Sequence, residues 1–193
     1  MTHPVTVTAR LDSPVIEAGR WPIMLDSILA YARALTGDLP LLRLDTDPEI
    51  PLPLERWEDT TGWGWKVSQA HYRIAGYTTV EIRRKPAVEA MARYGDFKNH
   101  HLGLGPHKAR DIRREAAWIH EMRWHAIATD VDQLVCLLTR VHGIGKHVSI
   151  GFGHVTDWQV SPSTDPAAWQ DRGFKPGQRT RPPYWHPVGR AAA

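Results

Sequence analysis

What most limits the folds open to this chain is the order in which two hydrophobic periods follow one another. Val5, Val7, Ala9 and Leu11 alternate with Thr6, Thr8 and Arg10, the period of a half-buried strand. Over residues 23–35 the apolar positions Leu25, Ile28, Leu29, Ala32 and Leu35 recur at helical spacing. Gly37 is the expected stop of that helix, and Asp26 sits near its start, where a carboxylate suits the dipole. Strand-like runs return at residues 63–72 and 77–84, with Gly76 as the turn between them. Residues 115–126 alternate again and put Trp118, His120, Met122, Trp124 and Ala126 on one face. Asp130 then opens a second helix in capping-box spacing with Gln133. Its stripe is Val131, Leu134, Val135, Leu138 and Val141, and Gly143 ends it. In the final run Phe152, His154, Thr156 and Trp158 alternate with Gly153, Val155 and Asp157, as in a last strand.

Strand, helix, strand pair, insertion, strand, helix, glycine loop, strand is an α+β order, and it matches the β-α-β-β-α-β, ferredoxin-like plan. Residues 38–62, rich in Pro, Asp and Leu, read as a long loop with one short strand. Residues 83–114 read as an extended or mobile insertion with a short helix near 87–94. The Pro-, Arg- and Gly-rich tail after Val160 lacks periodicity and is expected to lie outside the core. Of the nine tryptophans, Trp63, Trp65, Trp118, Trp124 and Trp158 fall in strand patterns, whereas Trp169 and Trp185 lie in the tail, suited to base stacking or to docking on a neighbouring subunit.

A hydrophobic fraction of 42% is enough for a real core. There is no apolar run of roughly eighteen residues and no charged-then-apolar leader, which disfavours membrane spanning and secretion. The one cysteine, Cys136, falls in a helical apolar pattern and is expected to be a buried thiol, consistent with a reducing cytoplasm.

Two features carry chemistry. Residues 141–153, VHGIGKHVSIGFG, enclose Lys146, His147 and Ser149 among Gly143, Gly145, Gly151 and Gly153. Such a loop lets another molecule approach the backbone and can wrap a polyanion. It is not a nucleotide P-loop, which needs a strand before the loop and a helix after it. Second, although the formal net charge is only +3, residues 83–114 hold nine Lys and Arg against three acids. A basic block in a nearly balanced chain points to a localised anionic partner.

The pattern G-I-G-K-x-x-S-I-G-F-G-x-V at residues 143–155 resembles the glycine-rich loop of the RAMP superfamily of CRISPR-associated proteins. Four more segments narrow the resemblance: A-R-L-D-S-P-V at 9–15, L-D-S-I-L-A-Y-A at 25–32, V-S-Q-A at 67–70 and G-H-V-T-D-W at 153–158. Together they are similar to the small subunit of type IV effector complexes that caps the 5′ end of the guide. The resemblance spans residues 5–160 and divides the chain into a RAMP domain at 1–160 and a tail at 161–193.

It implies a role without catalysis, cofactor or metal. The subunit would grip the 5′ handle of the crRNA, contact the first backbone subunit and adjoin the large subunit where target DNA enters, with DNA contact there left open. The basic insertion stands where relatives carry a thumb, making Arg83, Arg84, Lys85, Lys98, Lys108, Arg110, Arg113 and Arg114 phosphate-contact candidates. Gly143, Gly145, Lys146, His147, Ser149, Gly151 and Gly153 would hold the strand, and Ser68 and Gln69 would meet handle bases.

Two other readings compete. Some RAMP relatives cut repeat RNA with a histidine as general acid or base, and His71, His100, His101 and His107 are the candidates here. Alternatively, the basic face docks acidic proteins, which a shallower salt dependence would distinguish from RNA binding. Metal binding is disfavoured because the histidines and Cys136 lack paired ligand spacing.

Overall fold

The computed structural model of the chain describes residues 2–16, 22–37, 47–60, 62–84, 110–173 and 179–186. In chain order the elements are β1 (His3–Leu11), β2 (Val15–Ile16), α1 (Leu25–Leu35), β3 (Arg56–Asp59), β4 (Gly62–Trp65), β5 (His71–Tyr72), β6 (Gly76–Arg84), β7 (Arg110–Trp118), β8 (Glu121–Ala128), α2 (Val131–Leu138) and β9 (Val155–Pro162). Short 3-10 turns occupy Val148–Ile150 and Ala168–Gln170.

The alternation read in β1 is physical: Val5, Val7, Ala9 and Leu11 are buried, while Thr6 and Thr8 face the other way and are half-buried. β1 pairs antiparallel with β8 on one side and β9 on the other, and β5 pairs with β8, giving the order β5-β8-β1-β9. α1 buries Leu25, Ile28 and Leu29, and α2 buries Leu134, Leu137 and Leu138, in one cluster with Val7, Ala9, Met122 and Trp124. Two helices with an antiparallel sheet make an α+β protein, and the arrangement is compatible with the ferredoxin-like plan. Trp124 is fully buried and donates its indole N–H to the Ile23 carbonyl at 2.9 Å, so its one polar atom is satisfied.

The α2 start is as read: the Asp130 carboxylate accepts from the Gln133 amide at 2.8 Å. The helix stops sooner than expected, with Thr139 at its C-cap rather than Gly143. The buried stripe runs through Leu134, Leu137 and Leu138, so Val135 (41% exposed) falls on the solvent side. Cys136 is exposed, not buried, because it lies on that outward side.

Strand pairing differs from the sequence reading in two places. Residues 63–72 do not form one strand turning at Gly76; β4 pairs with β3, β5 with β8, and β6 with β7. The β6–β7 ribbon is held by cross-strand matches distant in sequence, Ile82 opposite Ile112, Glu81 opposite Arg113 and Arg83 opposite Asp111. Residues 115–126 are likewise two strands. The break falls after Trp118, whose carbonyl accepts from Ala75, and the His120 carbonyl accepts from Leu11. Trp118 therefore ends on the surface, while Met122, Trp124 and Ala126 face the core. The ends of the expected insertion are thus ordered strands, and the short helix expected near 87–94 lies outside the described residues.

The tail also packs on the core, contrary to expectation. Tyr184 joins the core cluster, and Arg179 and His186 are buried. The Arg172 guanidinium donates to the carbonyls of Trp65, Val67 (3.0 Å) and Thr180 (2.8 Å) and lies 3.6 Å from the Asp26 carboxylate. The Tyr184 hydroxyl donates to Asp26 at 2.8 Å. Asp26 is fully buried, which pushes its pKa up to about 6, against the lowering pull of Arg172 and Tyr184.

Candidate nucleic-acid interface

After α2 the chain closes on itself before entering β9. Gly143 bridges His154, the Ile144 amide donates to the Gly153 carbonyl at 2.8 Å, and the Val155 amide donates to His142 at 3.0 Å. Two glycines are required by the protein's own packing. A Cβ at Gly153 (φ +62°) would stand 1.9 Å from the Ile144 carbonyl oxygen, and one at Gly143 would stand 2.3 Å from Val148 Cγ1. The room that the sequence suggests at these positions for a polyanion is filled from within. Gly145, Lys146, Ser149 and Gly151 are exposed, although a Cβ at Gly145 (φ +94°) would still stand 2.9 Å from Val15 Cγ1, and His147 is half-buried with a left-handed backbone, φ 61°.

β2 sets where the exposed part of the loop lies. Ile16 pairs with Ala116 of β7 and also bridges Lys146, so the β6-β7-β2 sheet continues into the glycine loop. Residues 12–14 brace this junction. The Gly153 amide donates to the Pro14 carbonyl at 2.9 Å, the His154 amide to the Ser13 hydroxyl at 2.7 Å, and His154 Nδ1 lies 2.8 Å from the Asp12 carboxylate. In the sequence D-S-P-V stands out only as a resemblance, and this bracing is not visible there. A two-residue strand has too little periodicity to be seen.

The ribbon β6–β7 rises from that junction, and its two faces differ in charge. Successive strand residues point to opposite sides. One face carries Glu81, Arg83, Asp111, Arg113 and Glu115, with Arg113 3.1 Å from Glu81 and Arg83 within 3.5 Å of both Glu81 and Asp111. These expected phosphate contacts are matched by carboxylates. The opposite face has positions 76, 78, 80, 82 and 84 of β6 and 110, 112, 114, 116 and 118 of β7. It includes Arg110 and Arg114 beside half-buried Val80, Ile82 and Ile112, and none of these described positions is an acid. Arg84 is placed there by register, whereas Lys85, Lys98 and Lys108 lie outside the described residues.

Ser68 and Gln69 do not join this surface. Ser68 is fully buried; its hydroxyl donates to the Gln69 carbonyl (2.8 Å) and accepts from the His125 amide (2.9 Å), so it offers no surface to a base. The Gln69 amide side chain donates to Asp171 at 3.0 Å, beneath the tail.

The histidines are elsewhere too. His71 lies on β5, its ring 5.6 Å from that of His125 and its Nε2 3.6 Å from Asp171. Partial burial, and then His71, lower the His125 pKa. β5 is one edge of the main sheet, and the glycine loop leads into β9 at the other edge. His100, His101 and His107 lie outside the described residues. No group of three or more His, Cys, Asp or Glu among the described residues could hold a metal ion. No helix among them is long and apolar enough to cross a membrane.

Comparison with known proteins adds a family. A family model described as CRISPR type IV associated protein Csf3 matches residues 3–192, tail included. No curated protein matches the sequence. Among solved structures, the chain is similar to one in a cryo-EM structure of the type III-B Cmr-beta complex bound to cognate target RNA. The two share 10% identity and a TM-score of 0.43, and the match covers 83% of this chain and 61% of that one.

Proposed function

Since the chain belongs to the CRISPR type IV associated Csf3 family, we propose that it is a non-catalytic RAMP subunit that holds the 5′ handle of the crRNA. In this reading it caps the backbone of the interference complex in the cytoplasm, between the first backbone subunit and the large subunit. The observation that carries RNA binding is the ladder through Ile16, which joins exposed Lys146 to the base of a ribbon whose acid-free face bears Arg110 and Arg114. Cations on a ladder that runs from the loop into the ribbon suit a phosphate backbone, and an open loop suits a single strand with unstacked bases.

The test is site-specific crosslinking in the assembled complex. Photoreactive uridines in the 5′ handle should crosslink to this subunit at the loop or ribbon, and Lys146→Glu should reduce the yield severalfold. Crosslinks only from the 3′ end of the guide would overturn the handle assignment.

Cleavage of repeat RNA is the second reading, and the His71–His125 pair is the observation that favours it. His125, whose pKa burial lowers, stands beside a His71 that faces Asp171, and two such imidazoles could share acid–base work. Its place across the sheet from the loop argues against it. A discrete product from repeat RNA that disappears in His125→Ala would establish cleavage.

A further inference from the structure

Between α1 and the glycine loop the surface opens into a groove of about 550 Å³. Its walls include Ile28, Tyr31 and Leu35 of α1 and Gly143, Ile144 and Val148 of the loop. This volume lies in the range of about 300–1,000 Å³ typical of small-molecule sites. We propose that it receives one extruded nucleobase of the bound single-stranded RNA, stacked on Tyr31, with the adjoining phosphate toward Arg140 and Lys146. The proposal rests on the RNA-binding reading above and adds a base-sized site to it.

Three observations support this occupant. Tyr31 and Leu35 leave large apolar surface in the open, 55% and 53% exposed, on a helix whose other apolar residues are mostly buried. An exposed aromatic ring is the platform that single-strand binders use for stacking. Charge is complementary as well: among the described residues no carboxylate lines the groove, whereas Arg140 and His142 do, and exposed Lys146 follows lining residue Gly145. Asp26 of α1 is fully buried beneath Tyr184, which lines the groove while its hydroxyl engages both carboxylate oxygens at 2.8 Å. Finally, one wall is the glycine loop itself, so a strand held there passes the mouth of the groove. A partner helix fits less well, because docking one takes a row of anchor sites over several turns rather than one pocket.

The experiment uses the full chain and a short single-stranded RNA carrying one 2-aminopurine, moved position by position. Anisotropy reports binding, and quenching of the 2-aminopurine reports stacking. The expected result is strong quenching at one position only. Tyr31→Ala should abolish that quenching and weaken binding about tenfold. Ser27→Phe places a ring in the groove from an exposed helix position and should abolish the quenching too. Neither variant removes a cation, so the salt slope should stay at the parent value. Parent-like binding and quenching in both variants would overturn the groove assignment and leave RNA binding standing. Absence of any anisotropy change with the parent would instead overturn the RNA-binding reading. If Tyr31→Ala leaves RNA binding unchanged but releases a protein subunit from the complex, the groove is a protein-docking site and the proposal fails.

Discussion

Gly153 and Asp26 show how single residues fix the architecture around the proposed interface. Adding a methyl group at Gly153 meets a backbone oxygen that cannot move aside, in a left-handed conformation that alanine disfavours. Gly153→Ala should therefore destabilise the protein by more than about 2 kcal/mol, read from the urea midpoint. A midpoint within error of the parent would mean that the loop is not closed as described. Asp26 makes a pH prediction. Its pKa is raised from 3.8 to about 6 by burial, so the folded protein holds this proton more tightly than the unfolded chain. The associated stability is complete below pH 3.8 and is lost as pH rises through about 6. Asp26→Asn has no such proton. Relative to the parent it should gain stability across that window, on the order of 3 kcal/mol. Urea midpoints between pH 3.5 and 7 check this; a constant difference between the two proteins would contradict it.

Among the elements, β1, α1 and the start of α2 were legible because each buries a periodic face set by neighbouring residues. The β6–β7 pairing was not, since its partners lie distant in the chain and its alternation resembles that of any half-exposed strand. The glycine loop is visible in the sequence, but whereas its glycines suggest space for a ligand, two of them make space for Ile144 and Val148. The ribbon's charges were visible as a block, and only the register separates them into a balanced face and an acid-free face. Arg110→Ala with Arg114→Ala should therefore weaken single-stranded RNA binding more than Arg83→Ala with Arg113→Ala. The difference is one of position: Arg110 and Arg114 stand on the face that the Ile16 ladder joins to the loop, whereas Arg83 and Arg113 stand on the other, in exposed ion pairs that contribute only about 0–1 kcal/mol. Equal losses from the two double variants would remove the distinction between faces.

For the whole molecule, the tail was the largest surprise. Its Arg, Pro and Tyr residues show no apolar period, yet Arg172, Arg179 and Tyr184 attach it through hydrogen bonds and ion pairs to Asp26, Asp47 and the β4 segment. Pattern reading follows apolar burial and misses burial of this polar kind. Removing residues 163–193 would leave Asp26 without either partner, so the truncated chain should show a lower thermal midpoint or fail to fold. An unchanged midpoint would mean that the tail only decorates the domain.

The central claim is that loop and ribbon grip one RNA strand through its phosphates. The most direct measurement is the salt dependence of single-stranded RNA binding by the parent and by the variant Lys146→Ala/Arg110→Ala/Arg114→Ala. The account predicts a log–log slope shallower by about 2 in the variant, near 0.7 for each lost phosphate contact. A variant that keeps the parent's slope and affinity would contradict it.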